Sequence, residues 1–331
     1  MAFPRLSKNI LVTGAGGFIG SHLVEQLAAR GARVRAFVRY NSHADIGLLQ
    51  LLPDETLSQI DIVAGDLRDG QAVHQAVEGC QIVFHLGALI SIPYSYLHPG
   101  ETAETNFIGS LNVLTACKNL GVEMLVHTST SEVYGTAQKV PMDETHPLQG
   151  QSPYSASKIG ADKLAESFHR SFGLPVVTVR PFNTYGPRQS ARAIIPTIIS
   201  QALTQETIHI GNLKTSRDFT FVNDTVEGFF KAAEAEHVSG QTFNLGTGQE
   251  ITIGDLAQKI VQKIGRSVEV VVDSQRLRPE MSEVQRLRSD NTQAQHILGW
   301  RPLVDLDNGL DQTILWIKDH LDLYKVGKYE F

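Results

Sequence analysis

The sequence predicts an α/β protein built on a doubly wound parallel sheet, with a smaller C-terminal lobe. Short apolar runs alternate with longer amphipathic segments through the first 180 residues, and a glycine-rich turn joins the first run to the first amphipathic segment. Strands that alternate with helices form right-handed βαβ units, which make the sheet parallel and cover both of its faces. Such a sheet binds ligands at the carboxyl ends of its strands.

The elements of the first half follow from the apolar pattern, because strands and helices bury apolar residues at different spacings. The predicted strands are Asn9–Thr13, Arg33–Val38, Ile60–Ala64, Ile82–His85, Met124–Thr128 and Val176–Arg180. The predicted helices are Phe18–Arg30, Gly70–Glu78, Glu101–Leu120 and Tyr154–Phe172. Gly31 is expected to end the first helix. We assign residues 1–180 to this domain.

Residues 181–322 have a less regular pattern and predict the smaller lobe, with some segments returning to the main sheet. The strands expected here are Thr207–Ile210, Phe219–Val222 and Thr242–Leu245. The expected helices are Ala193–Leu203, Asp224–Ala235, Ile253–Ile264 and Leu306–His320. Residues 323–331 are expected to form a mobile tail.

The composition excludes several classes of protein. Apolar residues make up 42% of the chain and charged residues 19%, which is typical of a globular protein with a sizeable core. The net charge of −6 gives no source of affinity for nucleic acid. Neither a membrane helix nor a signal-peptide core is found, so we expect a cytoplasmic protein. Cys80 and Cys117 are expected to be buried free thiols, and no metal site is expected.

The glycine-rich turn TGAGGFIG predicts a dinucleotide site. Gly14, Gly17 and Gly20 follow the first strand and open the first helix, at Phe18 and Ile19. The glycines permit a tight turn and close approach of backbone to phosphate, and the helix N-terminus presents unpaired N–H groups to a pyrophosphate.

Two residues bear on which dinucleotide binds. An acidic residue expected at the end of the second strand, for the ribose 2′-hydroxyl, is replaced by Arg39. A cation there could accept a 2′-phosphate, which favours NADP over NAD; alternatively Arg39 stacks on the adenine or faces solvent. Asp66, after the third strand, is a candidate adenine contact or a helix N-cap.

Tyr154 and Lys158 form a candidate catalytic pair, one helical turn apart on one face. A Tyr hydroxyl titrates near pH ~10, too high for a base at neutral pH. A nearby ammonium and a nicotinamide cation would favour the phenolate. Such a tyrosine can remove a hydroxyl proton as hydride leaves the same carbon.

Three further candidates follow the fifth strand, at the ligand-facing edge of the sheet. Thr130, Ser131 and Glu132 would overhang the nicotinamide. A carboxylate at this place can remove a carbon-bound proton next to a carbonyl, and a hydroxyl can assist a leaving group.

A series of motifs in a characteristic order along nearly the whole chain resembles that of a known family. The motifs are TGAGGFIG, GDL, HLGA, TSTSEVYG, YSASK, RPFNTYGPR, RDFTFVND, FNLGTG and LGWRP. The sequence resembles the extended short-chain dehydrogenases/reductases, in their NAD(P)-dependent sugar epimerase/dehydratase branch. The resemblance implies a Rossmann fold and a tightly bound, recycled NAD or NADP that Leu67, Leu86, Ala88, Tyr154 and Lys158 would also contact. It implies a homodimer through a four-helix bundle, formed by helices Glu101–Leu120 and Tyr154–Phe172.

Ser131 and Glu132 make the chain similar to nucleotide-sugar 4,6-dehydratases, and NTYGPRQSARAIIPTI and RPEMSEVQRL to those of legionaminic-acid type. The resemblance implies that GDP- or UDP-N-acetylglucosamine becomes a 4-keto-6-deoxy sugar nucleotide. Many dehydratases have Asp at the position of Ser131, so this serine would need Glu132 or a water as its proton source. Alternatives on this scaffold are a UDP-glucuronate decarboxylase, a 4-epimerase and a 5,6-dehydratase. A non-enzymatic NAD(P)-binding regulatory protein is a further alternative.

The resemblance also implies a set of substrate-binding residues. They are Ser91, Asn183, Arg188, Ile195, Arg217 and Arg278. The arginines suit phosphate because a guanidinium can donate two parallel hydrogen bonds. Ile195 and Pro196 would pass their backbone along the nucleobase, which is compatible with the start of a helix here. Asn106 and Asn112 are expected to be structural.

Overall fold

Residues 8–324 are described by the structure, a computed structural model. A seven-stranded parallel sheet forms its centre, in the order β11-β6-β5-β4-β1-β2-β3. The strands in chain order are β1 (Asn9–Thr13), β2 (Arg33–Arg39), β3 (Asp61–Gly65), β4 (Ile82–His85), β5 (Met124–Thr128), β6 (Val176–Pro181), β7 (Asn183–Tyr185), β8 (Thr207–Ile210), β9 (Ser216–Arg217), β10 (Phe219–Phe221), β11 (Thr242–Leu245), β12 (Ile251–Thr252) and β13 (Glu269–Val272). The predicted fold class is confirmed.

Helices cover both faces of this sheet. They are α1 (Phe18–Ala29), α2 (Asp54–Leu57), α3 (Gly70–Val77), α4 (Ile92–Leu97), α5 (Pro99–Ala103), α6 (Gly109–Leu120), α7 (Pro153–Phe172), α8 (Ile194–Thr204), α9 (Val222–Glu234), α10 (Ile253–Ile264), α11 (Thr292–Leu298) and α12 (Leu306–Asp319). Ile10 and Val12 of β1 belong to the apolar cluster that includes α1 and α9, whereas Leu11 belongs to the one that includes α3, α6 and α7. This alternation buries β1 completely, as a central parallel strand requires.

The strand order reverses between β1 and β4, and this switch point places the site. The chain winds from β1 through β2 to β3 on one side, and then returns to β4 on the other. A crevice forms where the two connections diverge, at the carboxyl ends of β1 and β4. Gly14 and Gly87 meet there: Gly14 has φ +68°, and a Cβ on it would lie 2.7 Å from the Gly87 nitrogen.

The second half forms small sheets beside the main one. β7 pairs with β10 and β8 with β13, in parallel, while β9 pairs with β12 in antiparallel. β11 returns to the main sheet beside β6, as expected for some segments. β7, β13, α4 and α11 were not predicted, because short elements carry little periodicity. The division of the chain at residue 180 stays a prediction.

Two predictions about continuity were wrong. The predicted helix Glu101–Leu120 is divided by a π-helical turn, Glu104–Ile108, between α5 and α6. The extra residue in this turn directs the Asn106 side chain to Leu89 and Ser157, which it hydrogen-bonds. The expected start of the tail at residue 323 is wrong, since Tyr324 is buried and donates a hydrogen bond to the Gln189 carbonyl, 3.0 Å away. Residues 325–331 of that expected tail lie outside the described residues.

Short 3-10 turns lie between several of these helices and strands. The 3-10 turns are Gly47–Leu51, Ser131–Tyr134, Ser274–Arg276, Glu280–Ser282 and Leu321–Leu323. Within residues 8–324, no helix is long and apolar enough to cross a bilayer. Cys80 and Cys117 are buried free thiols, as expected.

Candidate active site at the sheet switch point

The glycine turn leaves the first turn of α1 open to a ligand. Gly17 is the N-cap, no side chain caps the helix, and its first turn carries no acidic residue. The Gly17 nitrogen donates to the Gly14 carbonyl at 3.0 Å, which closes the turn. Gly20 packs tightly, because a Cβ there would lie 2.2 Å from the Gly14 carbonyl oxygen. The uncapped N–H groups at Phe18 and Ile19 fit the diphosphate of a dinucleotide.

The same turn contains a glycine that the sequence argument did not single out. The Gly16 carbonyl accepts a hydrogen bond from the Leu48 nitrogen at 2.9 Å, and a Cβ on Gly16 would lie 2.6 Å from the Ile46 carbonyl oxygen. Gly47, at φ +65°, forms the other side of this contact. Gly16 therefore packs the loop after β2 onto the phosphate turn. The adjacent glycines in TGAGGFIG were the only signal.

Arg39 at the end of β2 and Asp66 just after β3 each form an ion pair with another residue. The Arg39 guanidinium is mostly exposed and lies 3.3 Å from Glu101. Asp66 receives hydrogen bonds from Arg68, the shortest at 2.7 Å, and this pairing lowers the pKa of Asp66. Asp66 is not a helix N-cap, since Asp69 caps α3.

Four residues expected near the ligand lie around the β4 loop. Leu67 is buried against Gly87 and Gly109, and Leu86 donates its backbone N–H to the Thr13 carbonyl at 3.2 Å. Ala88 is half-buried in the same loop. Ser91 caps α4 by accepting a hydrogen bond from the Tyr94 nitrogen. Asn106 and Asn112 hold this region through bonds to backbone groups, consistent with structural roles.

The catalytic candidates meet above the end of β5. Thr130 caps the turn Ser131–Tyr134 by accepting a hydrogen bond from the Glu132 nitrogen at 3.2 Å, and its side chain is hydrogen-bonded to Tyr154. Ser131 is buried and Glu132 is partly exposed. The charge of Glu132 acts on both Tyr154 and Arg217.

Burial shifts the pKa values of both Tyr154 and Lys158. Burial raises the pKa of Tyr154, and the hydrogen bond from Thr130 lowers it only in part. Lys158 donates its Nζ to the Thr128 carbonyl at 2.7 Å, and burial lowers the pKa of Lys158 to about 8. The depression of the Tyr154 pKa that we expect from Lys158 together with a nicotinamide cation stays a prediction.

A buried ion pair that the sequence argument missed supports these residues. Asp162 of α7 receives hydrogen bonds from Ser129 at 2.7 Å and from Arg180 of β6 at 2.9 Å. Arg180 donates a further bond to the Tyr134 hydroxyl at 2.9 Å. Ser129 precedes the catalytic turn and Tyr134 ends it. The pair therefore fixes both ends of the segment that carries Ser131 and Glu132.

Only part of the expected substrate set lies together. Arg217 and Arg278 both approach one oxygen of Glu283, at 3.5 Å and 3.8 Å. The Asn183 Oδ1 and the Arg278 Nη1 are buried without a hydrogen-bond partner among the described residues. These unsatisfied polar atoms are typical of a site that binds a polar ligand.

Two other expected substrate residues are engaged elsewhere. Arg188, at φ +67°, is held against α1 by an ion pair of 2.7 Å with Glu25. The Ile195 side chain is buried in the apolar core, and Ile195 lies in the first turn of α8, with Pro196 directly after it. This helix start is compatible with a backbone that passes along a nucleobase, so that role stays a prediction.

Comparison with known proteins identifies the family. The family described as GDP-mannose 4,6 dehydratase matches residues 11–313. The chain is a member of this family, within the extended short-chain dehydrogenases/reductases.

Members similar to it act on nucleotide sugars in three different ways, according to their names. A UDP-glucose 4-epimerase of Mycolicibacterium smegmatis is 33% identical, over 93% of this chain and 98% of its own length. A dTDP-glucose 4,6-dehydratase of Streptomyces antibioticus is 32% identical, over 94% and 93%. A UDP-glucuronic acid decarboxylase of Arabidopsis thaliana is 33% identical, over 96% and 69%.

Solved structures of the family have the same fold. The epimerase Mth375 of Methanothermobacter thermautotrophicus superposes with a TM-score of 0.88 and 29% identity, covering 98% of this chain and 97% of its own. The dTDP-glucose 4,6-dehydratase DesIV of Streptomyces venezuelae, solved with NAD, gives 0.84 and 29%, covering 96% and 99%. This family member therefore belongs among NAD-dependent enzymes of nucleotide-sugar dehydration, epimerisation and decarboxylation.

Proposed function

We propose that this family member is a nucleotide-sugar 4,6-dehydratase that forms a 4-keto-6-deoxy sugar nucleotide. One observation carries the proposal. The turn capped by Thr130 carries Glu132, whose charge acts on Tyr154, and the Thr130 side chain is hydrogen-bonded to Tyr154. Removal of a hydroxyl proton and removal of a carbon-bound proton can then be divided between two neighbouring groups.

Tyr154 would take the proton of the sugar C4 hydroxyl, and Thr130 would donate a hydrogen bond to the C4 oxygen in place of the one it gives to Tyr154. Burial raises the pKa of Tyr154, so a positive charge is needed to favour its phenolate. Lys158 is the nearest lysine in the sequence and would supply part of that charge while it remains protonated.

Glu132 would then remove the C5 proton, which a C4 ketone makes acidic. Ser131, buried on the same turn, would relay a proton to the C6 hydroxyl as it leaves as water. Since a serine is a weaker acid than aspartate, Glu132 is the proposed source of that proton.

A nicotinamide dinucleotide would be held by the open N-terminus of α1 and by the residues around Leu67, Leu86 and Ala88. When bound, it would accept the C4 hydride and return it to C6, and C5 would take up a proton from solvent in that last step. Arg39 at the end of β2 supports a preference for NADP, because its exposed guanidinium can exchange Glu101 for a 2′-phosphate.

The nucleotide end of the substrate would lie between Arg217, Arg278 and Asn183, whose polar atoms are incompletely satisfied. Ser91 can still donate its hydroxyl to the sugar while it caps α4. GDP- and UDP-N-acetylglucosamine are the proposed substrates. Arg188 would have to leave Glu25 to reach the substrate, and Ile195 would contribute through its backbone, since its side chain lies in the apolar core.

The experiment is to incubate the protein separately with GDP-N-acetylglucosamine, UDP-N-acetylglucosamine and UDP-glucuronate, with NAD or NADP, and to record product masses. Loss of one water, with solvent deuterium incorporated at C5, is the expected result. Loss of carbon dioxide from UDP-glucuronate would instead make the protein a decarboxylase. Conversion without mass change would make it an epimerase, and no conversion with any substrate would overturn the dehydratase proposal.

We further infer a cytoplasmic homodimer. The two free thiols, Cys80 and Cys117, suit a reducing compartment. The exposed side of the helix pair α6 and α7 includes Ala156, and Ile108 of the adjacent π-helical turn is also exposed, so a second copy could approach closely. Light scattering should give twice the monomer mass, and A156R should shift it to the monomer.

A further inference from the structure

Glu283 occupies a place between two cations that the proposed function gives to the substrate. One of its carboxylate oxygens lies 3.5 Å from the Arg217 Nη2 and 3.8 Å from the Arg278 Nη1. The Glu283 side chain is only 11% exposed and that of Arg217 only 7%. Three charged groups therefore share one largely buried space.

The carboxylate balances the charge of these arginines but accepts no hydrogen bond of ordinary length from either. Both distances exceed those of ordinary N–H···O hydrogen bonds, about 2.7–3.2 Å. Arg217 donates from Nη1 to the Ser216 carbonyl, and the Arg278 Nη1 is buried with no hydrogen-bond partner among residues 8–324. A diphosphate could accept from both guanidiniums at short distance, as Glu283 does not.

The charge balance points the same way. Glu132 also acts on Arg217, so two guanidiniums are opposed by two carboxylates. The diphosphate of a sugar nucleotide carries two negative charges, and these would enter a site whose charge is already balanced. Removal of the Glu283 charge alone would give the site a net positive charge.

Glu283 can withdraw without unfolding its segment. The preceding residues are fixed across the cleft, because the Gln151 Nε2 donates to the Met281 carbonyl at 3.2 Å and Tyr96 is hydrogen-bonded to Ser282 at 2.6 Å. The Glu283 carbonyl is held separately by the Thr136 hydroxyl, at 3.4 Å. Only the side chain needs to move.

We propose that Glu283 is an internal counter-ion. It shields Arg217 and Arg278 from solvent, and the diphosphate of the incoming nucleotide displaces it. This inference rests on the proposed function for the position of the diphosphate. It makes Glu283 a determinant of specificity, since a ligand with one phosphate or none gains too little from the arginines to displace it.

The test compares E283Q with the wild type and with E280Q, a matched control because Glu280 is exposed on the same segment. Calorimetry measures binding of UDP, GDP and dTDP, and of the nucleosides uridine, guanosine and thymidine. E283Q should bind the preferred diphosphate about tenfold more tightly, since one repulsive charge near 4 Å is removed. Binding of nucleosides should not change, and E280Q should behave as the wild type.

Unchanged or weaker diphosphate binding by E283Q would overturn the inference, as would absence of binding in both proteins. E283A, assayed with circular dichroism as a check of folding, should give the same gain. The two proposals fail separately. Turnover by the wild type without tighter binding in E283Q would leave the dehydratase intact, whereas tighter binding without turnover of any sugar nucleotide would leave Glu283 as a counter-ion in another protein of the family.

Discussion

Replacing Asp162 by asparagine tests the support beneath the catalytic turn. The Asp162 and Arg180 side chains are 5% and 7% exposed, and Arg180 donates to Asp162 from Nε at 3.2 Å and from Nη2 at 2.9 Å. His127 and Ser129 complete the set, at 3.1 Å and 2.7 Å. D162N keeps the size of the side chain but leaves the Arg180 guanidinium buried without a counter-ion.

The expected loss is large. Breaking a buried ion pair at one partner costs about 3–5 kcal/mol, because the remaining charge stays buried. An unfolding entropy of about 2.1 cal/mol/K per residue gives about 0.7 kcal/mol/K for this chain of 331 residues. The melting temperature should therefore fall by about 4–7 °C, as measured by circular dichroism at neutral pH.

The loss should also depend on pH. Burial alone would raise the pKa of Asp162, but the bond from His127 and the charge of Arg180 hold it at about 2, below its ordinary value of 3.8. A lowered carboxyl pKa stabilises the fold fully above about pH 4, and this stabilisation disappears as pH falls towards about 2. It amounts to about 2 kcal/mol, and D162N should lack this part of the acid dependence.

S129A is the matched control, because it removes one neutral donor from the same carboxylate and should cost about 1 kcal/mol. The double variant D162N/R180Q should regain part of the loss, since it removes the unpaired cation as well. A cost for D162N no greater than that of S129A, or no recovery in the double variant, would refute the argument.

Three other predictions concern the site. Y154F should lower kcat by about 10²–10⁴-fold with little change in nucleotide binding, whereas E132Q should abolish exchange of solvent deuterium at C5. Activity that needs protonated Lys158 should decline as pH rises through about 8. In D162N this decline should begin at lower pH, because the charge of Asp162 raises the pKa of Lys158. R39A should weaken NADP binding by at least tenfold and leave NAD binding unchanged, as calorimetry would measure; equal losses for both dinucleotides would contradict the assignment.

The sequence alone determined the alternation of strands and helices and therefore the sheet. β1, β4 and β5 have the predicted bounds, and the glycine turn joins β1 to the first helix as predicted. Apolar periodicity is a local property, and a parallel strand buried on both faces has little freedom to differ from it. The motif spacing likewise placed Tyr154 and Thr130 at one edge of the sheet.

Only the tertiary structure decided which charges meet. Asp162 lies 18 residues from Arg180, and Arg217 is far in sequence from its partner Glu283, so no spacing rule connects either pair. It also decided that Arg188 forms an ion pair with Glu25 and that Lys158 donates to the Thr128 carbonyl. Periodicity records whether a residue is buried, whereas the partner of a buried charge depends on how distant segments pack, and that packing gives this site its electrostatic character.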